Sequence, residues 1–282
     1  MKKLLGSVIL AAALLSPAVA GPPSPRLEAA ATACHAEALR EGGDGEKKPP
    51  ANVGGVDAPG ATITGVVKFS GPQPASKTLD NVLGNAYCSE HCKGKAPVDE
   101  KWVFGKNGSD DTLVNVLVYV AKGLPEQKFA PPKDPVVLDQ VGCIYKPRVV
   151  GVMVGQTLQI RNSDSTLHNV IGNLKTNKKF NEGMSVKDGT IEKVFQNPEF
   201  KADFRCFMHP WMVAYVHVME HPYYAVTAAD GTFTLKGLPP GDYEIASMHE
   251  SSRFEVAPER VSVSVKAGET KTVEFVYKDA KQ

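Results

Sequence analysis

Beyond residue 60 the chain alternates apolar and polar positions with a period close to two, the pattern of half-buried strands. "ITGVVKFSG" (63–71) reads as a strand ending at Gly71. "TLVNVLVYVAKG" (112–123) is apolar at nearly every position and predicts one strand buried on both faces. "PVVLDQVGCIYKPRVVGVMVGQTLQIRNSDSTLHNV" (135–170) reads as three strands broken by Gly and Pro, with a turn at "VGQT" and Leu158 and Ile160 on one face. A loop rich in Asn, Lys and Gly follows. In "FKADFRC" (200–206) Phe200, Ala202, Phe204 and Cys206 fall on one face, and Lys201, Asp203 and Arg205 on the other. Cys206 is thus expected to point inward at the end of a strand. "VAYVHVME" (213–220) forms the next strand, with His217 expected on its surface. "ADGTFTLKGLPPGDYEI" (229–245) and "VSVSVKAGETKTVEFVY" (261–277) each carry two alternating stretches separated by a turn. The chain reads as an all-β protein.

The first 56 residues have a different texture. Lys2 and Lys3, the apolar stretch Leu4 to Leu15 and the small-x-small sequence Ala18-Val19-Ala20 make a signal peptide, with cleavage expected after Ala20. Residues 21–56 are polar and rich in Gly and Pro apart from an Ala-rich patch around Leu27 to Leu39, and read as a flexible tether. No later stretch is apolar enough for a transmembrane anchor. The protein is therefore expected outside the cytoplasm, periplasmic or extracellular. Removing Lys2 and Lys3 from the 32 basic residues leaves 30 against 31 acidic ones, a balance that points away from nucleic acid.

Export places all five cysteines, at 34, 88, 92, 143 and 206, where disulfides are the default, and an odd count leaves one unpaired. Cys206 is the candidate for the free thiol because of its neighbours in "CFMHPWM" (206–212). That loop brings a thiolate, an imidazole and a thioether together at Cys206, His209 and Met212. A blue-copper site needs two His nitrogens and a Cys sulfur with a weak axial Met. His168, after the strand "TLQIRN", supplies the second His. The soft thiolate and thioether favour copper, whereas zinc is served by Cys and His without Met. The histidines stand at 35, 91, 168, 209, 217, 221 and 249, with no His-x-His pair of the kind that oxygen-reducing copper clusters use, so no enzyme is expected.

These motifs carry two resemblances. Residues 134–221 resemble the cupredoxins, and the spacing Cys206-x2-His209-x2-Met212, with Pro210 and Trp211, resembles the amicyanin loop. The resemblance implies a Greek-key sandwich holding one type 1 copper on His168, Cys206, His209 and Met212. It also implies that Asn169 and Pro210 support the ligands and that the backbone N–H of Asn169 points at the Cys206 sulfur. It implies an electron carrier with a redox partner protein, a c-type cytochrome or a dehydrogenase, and a surface exit at His209 framed by Met208 and Trp211. Residues 57–133 and 222–282 resemble the carboxypeptidase-regulatory-like, or prealbumin-like, β-sandwich; the economical arrangement is a cupredoxin unit inserted in a loop of that smaller sandwich, and the other is a free-standing small tail domain behind an enlarged cupredoxin. The alternative function is a binding or adhesion module, carbohydrate-associated as such sandwiches often are, with a structural or stored copper. "CSEHC" (88–92) lacks the His and Met that a binuclear copper site would add downstream, so disulfide bonding is the better reading. A bridge from Cys88 to Cys143 would tie the two units together; Cys92 is the other possible partner, and Cys34 could bond whichever remains.

Overall fold

The computed structural model describes residues 60–185 and 187–280. The expected signal peptide, the expected tether 21–56 with its Ala-rich patch, and Cys34 lie outside the described residues. The described chain is nearly all β. Four strands come first: β1 (Ala61–Ser70), β2 (Phe104–Asn107), β3 (Asp110–Leu113) and β4 (Leu117–Lys122). Nine follow: β5 (Val136–Val141), β6 (Ile144–Lys146), β7 (Val149–Met153), β8 (Thr157–Asn162), β9 (His168–Asn173), β10 (Phe180–Met184), β11 (Gly189–Val194), β12 (Glu199–Arg205) and β13 (Val213–Met219). The last six are β14 (Tyr224–Val226), β15 (Thr232–Leu238), β16 (Gly241–Met248), β17 (Phe254–Ala257), β18 (Arg260–Val265) and β19 (Thr270–Asp279). A short helix, α1 (Ala86–His91), lies between β1 and β2.

The sheets sort these strands by sequence. Two sheets, β10-β9-β12-β13-β7 and β11-β8-β5-β6, use only the middle nine. The other two mix both ends of the chain: β17-β19-β1-β3-β2 with β15 beside β1, and β14-β4-β16-β18. The parallel pairing of β1 with β19 brings the first and last described strands side by side. Each sheet pair encloses its own core. Leu138, Val152, Leu158, Ile160, Phe204 and Val216 fill one. Ile63, Leu113, Val118, Leu235, Ile245 and Phe275 fill the other.

Several expectations change. The apolar run 112–123 is not one strand, because Asn115 takes a left-handed backbone (φ 60°) and splits it into β3 and β4. Residues 135–170 hold four strands ahead of β9, not three in all, since Gly142-Cys143 makes a two-residue hairpin between β5 and β6 with both φ values positive. The Asn/Lys/Gly-rich stretch beyond β9 contains β10 and β11, whose polar faces hid them. Phe200 does not point inward. A register shift between Glu199 and Ala202, with Lys201 at φ 56°, turns Phe200 outward and Glu199 inward, so the inward set begins at Ala202. Finally, "CSEHC" lies in α1 and its C-cap, Cys92, and Val82, Cys88 and Cys92 join the core of the middle strands rather than that of their sequence neighbours.

Among the described residues a disulfide and a buried ion pair cross between these groups. Cys88 and Cys143 form the disulfide, closing a separation of 55 residues; a loop of that size contributes about 4 kcal/mol in the chain-entropy account. Arg148, just ahead of β7, makes a two-pronged ion pair with Glu250, at 2.7 and 2.8 Å, with both side chains nearly sealed from water. In β7 Gly151 lies under the Tyr224 ring, where a Cβ would fall 2.2 Å from a ring carbon, so glycine lets β7 and β14 approach.

Candidate metal centre

β9 and β12 are antiparallel neighbours, and their adjoining ends bring His168 and Cys206 together. His168 opens β9, and Cys206 follows β12 with its side chain buried, as the alternation of "FKADFRC" requires once the bulge is passed. The loop after Cys206 is closed by its own backbone. Met212 N–H donates to His209 O at 2.8 Å, and Cys206 N–H approaches Met212 O at 3.4 Å. This tight turn folds His209 back over Cys206.

The donor atoms converge. His168 Nδ1 and His209 Nδ1 are 2.9 Å apart, and Cys206 Sγ lies 3.9 Å from the first and 3.7 Å from the second. All three side chains are buried, and so is Met212. The backbone N–H of Asn169 reaches Cys206 Sγ at 3.5 Å. The Asn169 side chain accepts from Phe207 N–H at 2.6 Å and ties the loop to β9. Burial raises the Cys206 thiol, but the neighbouring His168 and His209 rings and the Asn169 N–H outweigh it and bring the thiol down to about 6. Cys206 is the free cysteine among the described residues. Cys92 is disulfide-bonded.

One anchor was not foreseen. Asp164 accepts from Gly142 N–H at 2.7 Å, from Cys143 N–H at 2.8 Å and from His168 Nε2 at 2.9 Å, and Tyr87 OH donates to it at 3.3 Å. With Nε2–H donating to the carboxylate, His168 turns the Nδ1 lone pair to the centre. Burial alone would raise the Asp164 carboxyl; these donors, His168 foremost, hold it below its usual range. Burial likewise opposes the charged form of His168, but Asp164 and Cys206 raise it. The only sequence signal for Asp164 is its place four residues before His168.

His209 departs from expectation. It is 2% exposed, not a surface edge. Asn85, which caps α1, sets its side-chain nitrogen 3.1 Å from His209 Nε2. The sulfurs of Cys88 and Cys143 and a ring nitrogen of His209 lie within 4.8 Å of one another. Trp211 packs inward: its ring centroid is 5.1 Å from that of His209, and Nε1 donates to Cys143 O at 2.9 Å. Met208 is exposed, as expected, and so are Phe207 and Leu167, which had not been singled out; each adjoins a donor residue in sequence. Pro210 is exposed. His217 is buried rather than on the surface, and its Nδ1 accepts from Lys201 N–H at 3.3 Å.

The donor set suits copper. One sulfur easily ionised, two imidazole nitrogens within 3.9 Å of it and a buried thioether in the same turn form a soft, compact group. No helix among the described residues is long and apolar enough to cross a membrane.

No protein-family model and no curated protein matches the chain. Among solved structures it is similar to the copper-containing nitrite reductase of Thermus scotoductus SA-01, at 21% identity and TM-score 0.29, covering 36% of this chain and 26% of that one. It is similar to a purple cupredoxin of Nitrosopumilus maritimus, at 25% identity and TM-score 0.26, over 30% of this chain and 99% of that one. It is also similar to an amicyanin variant in its Cu(I) form, at 22% identity and TM-score 0.28, over 36% and 98%. The chain thus spans about a quarter of the reductase.

Proposed function

We propose that this chain is an exported mononuclear blue-copper protein, a type 1 electron carrier of the periplasm or extracellular space. The observation that carries the reading is the convergence of His168 Nδ1, His209 Nδ1 and Cys206 Sγ at 2.9 to 3.9 Å in a buried turn that also holds Met212. Copper bound there supplies a one-electron couple without substrate turnover. His168, Cys206 and His209 are the strong ligands in this reading, and Met212 the weak axial one. Asp164 holds the His168 ring in one tautomer, and the N–H of Asn169 draws charge from the sulfur. Donors fixed by two strands and a hydrogen-bonded turn rearrange little when the charge at the centre changes, which keeps transfer fast.

The burial of His209 moves the exit. Phe207 and Met208 follow Cys206 directly and are exposed, so the electron leaves along the Cys206 backbone to an apolar face that includes Leu167. A redox protein with an apolar face around its own cofactor is the partner this surface fits. In the same reading the middle unit, 134–221, is a cupredoxin inserted in a carboxypeptidase-regulatory-like sandwich made by 57–133 and 222–282. Electron self-exchange measured on the copper-loaded protein tests the carrier role. A reversible couple with rapid exchange is expected; a copper that does not exchange electrons would instead mark a binding module with stored or structural metal.

A further inference from the structure

Asn85 faces two groups and can satisfy both in only one arrangement. Its Oδ1 accepts from Cys88 N–H at 3.0 Å, the third backbone donor of α1 and an ordinary helix cap. A backbone N–H can only donate, so the atom facing Cys88 must be the oxygen and the atom facing His209 Nε2, 3.1 Å away, must be the amide nitrogen. The bond to His209 therefore exists only while Nε2 offers a lone pair. That arrangement places the ring proton of His209 on Nδ1, from which it donates to His168 Nδ1 at 2.9 Å. His168 in turn donates from Nε2 to Asp164. Asn85, His209, His168 and Asp164 form one chain of hydrogen bonds with a single direction.

We propose that Asn85 is a positioning residue that couples α1 to the occupancy of the metal centre. The inference rests on the copper reading above. When His209 turns its Nδ1 lone pair to a metal, its ring proton sits on Nε2, and two donors then face each other across 3.1 Å. The ring is confined: Trp211 stands on one side, held by Cys143 O, and the sulfurs of the Cys88–Cys143 disulfide lie within 4.8 Å of a ring nitrogen. The amide is the part that can turn. Once Asn85 presents its oxygen to His209 Nε2–H, Cys88 N–H loses its partner and the first turn of α1 loosens. The disulfide keeps the helix in place. Metal binding thus costs this site one cap bond, and Asn85 sets that cost. A carboxylate at this position has two oxygens and would accept from both donors at once.

The experiment uses the mature protein with and without Cu(I), loaded anaerobically with ascorbate, which leaves the disulfide intact. The readouts are hydrogen exchange of the Cys88 amide by NMR and competition for Cu(I). In the wild type, Cu(I) should speed exchange of the Cys88 amide about tenfold or more while the amides of β8 and β12 are unaffected. In Asn85→Asp, itself a good helix cap, Cys88 exchange should not respond to Cu(I), and affinity should rise about tenfold, the size of one charge-assisted hydrogen bond. Asn85→Ala should leave Cys88 fast in both states. Cu(I) bound with Cys88 exchange unchanged in the wild type overturns this inference alone. A wild type that binds no Cu(I) overturns the copper reading and this inference with it.

Discussion

Asp164 and His168 are joined by a 2.9 Å hydrogen bond from the imidazole Nε2 to a buried carboxylate that also holds the backbone of Gly142 and Cys143. One acidic side chain therefore fixes both a proposed metal donor and the hairpin whose Cys143 is bridged to Cys88. Asp164→Asn keeps the shape but sends an N–H or a weaker acceptor toward the ring. Copper affinity should fall about 10- to 100-fold, the usual loss when a partner of a ligand is removed. The reduction potential should rise, because a negative charge beside the centre is lost. Competition with a chelator and voltammetry read the two effects; unchanged affinity would show that Asp164 serves the hairpin alone.

Met208 is exposed and adjoins His209, and "CFMHPWMVAYV" (206–216) holds no acidic or basic side chain apart from its histidine. An uncharged apolar face makes small contacts that depend only mildly on salt. Met208→Glu should slow electron self-exchange, since two identical charged faces would then meet, and should leave the visible spectrum unchanged. Equal exchange rates for the two proteins would place the exit elsewhere.

The Arg148–Glu250 pair is buried and two-pronged. Burial foremost, with the Asp99 carboxylate adding to it, pushes the Glu250 carboxyl up despite Arg148, so the pair exists against a desolvation cost. Removing one partner leaves a buried charge and should cost about 3–5 kcal/mol, whereas replacing both by apolar residues of similar size should cost much less. Denaturant melts of Glu250→Leu, Arg148→Met and the double variant decide this. Equal losses in the single and double variants would mean that the ion pair is not what holds this contact.

His217 and His249 are both buried, and burial foremost depresses each to about 3, helped by Lys201 at His217 and by Arg148, Lys201 and Lys101 at His249. The unfolded chain takes up these protons near pH 6.5 and the folded one does not. Their contribution to stability is thus complete above about 6.5 and declines as pH falls toward about 3, by about 1.4 kcal/mol per pH unit for each ring. Ring NMR at pH 5 should find both neutral. A protonated His217 or His249 at that pH contradicts the assignment.

The chemistry was more legible in the sequence than the architecture around it. Cys206, His209 and Met212 sit in one turn, so their spacing reports their proximity directly, and His168 could be chosen because it follows the strand "TLQIRN" and stands at the start of the next; that this next strand pairs with the one leading to Cys206 came from the structure. Strand period also located β1, β13, β15, β16, β18 and β19. What failed was set by single backbone conformations that side-chain pattern does not record. Asn115 splits a strand, and Lys201 at positive φ reverses the face of Phe200. The cover over His209 was invisible for another reason. Asn85 lies 124 residues from His209, in a polar stretch with neither strand nor helix periodicity, and only the Cys88–Cys143 bridge hints that this stretch docks there.

The central claim is a thiolate-bound copper at Cys206, and the visible and EPR spectra of the purified, copper-loaded mature protein test it most directly. Intense thiolate-to-copper charge transfer is expected, with one copper per chain. Cys206→Ser should abolish the colour, because a hydroxyl is a hard and poorly ionised ligand, while Met212→Leu should keep it and shift the potential. A colourless wild-type protein that holds stoichiometric zinc after copper loading would contradict the account.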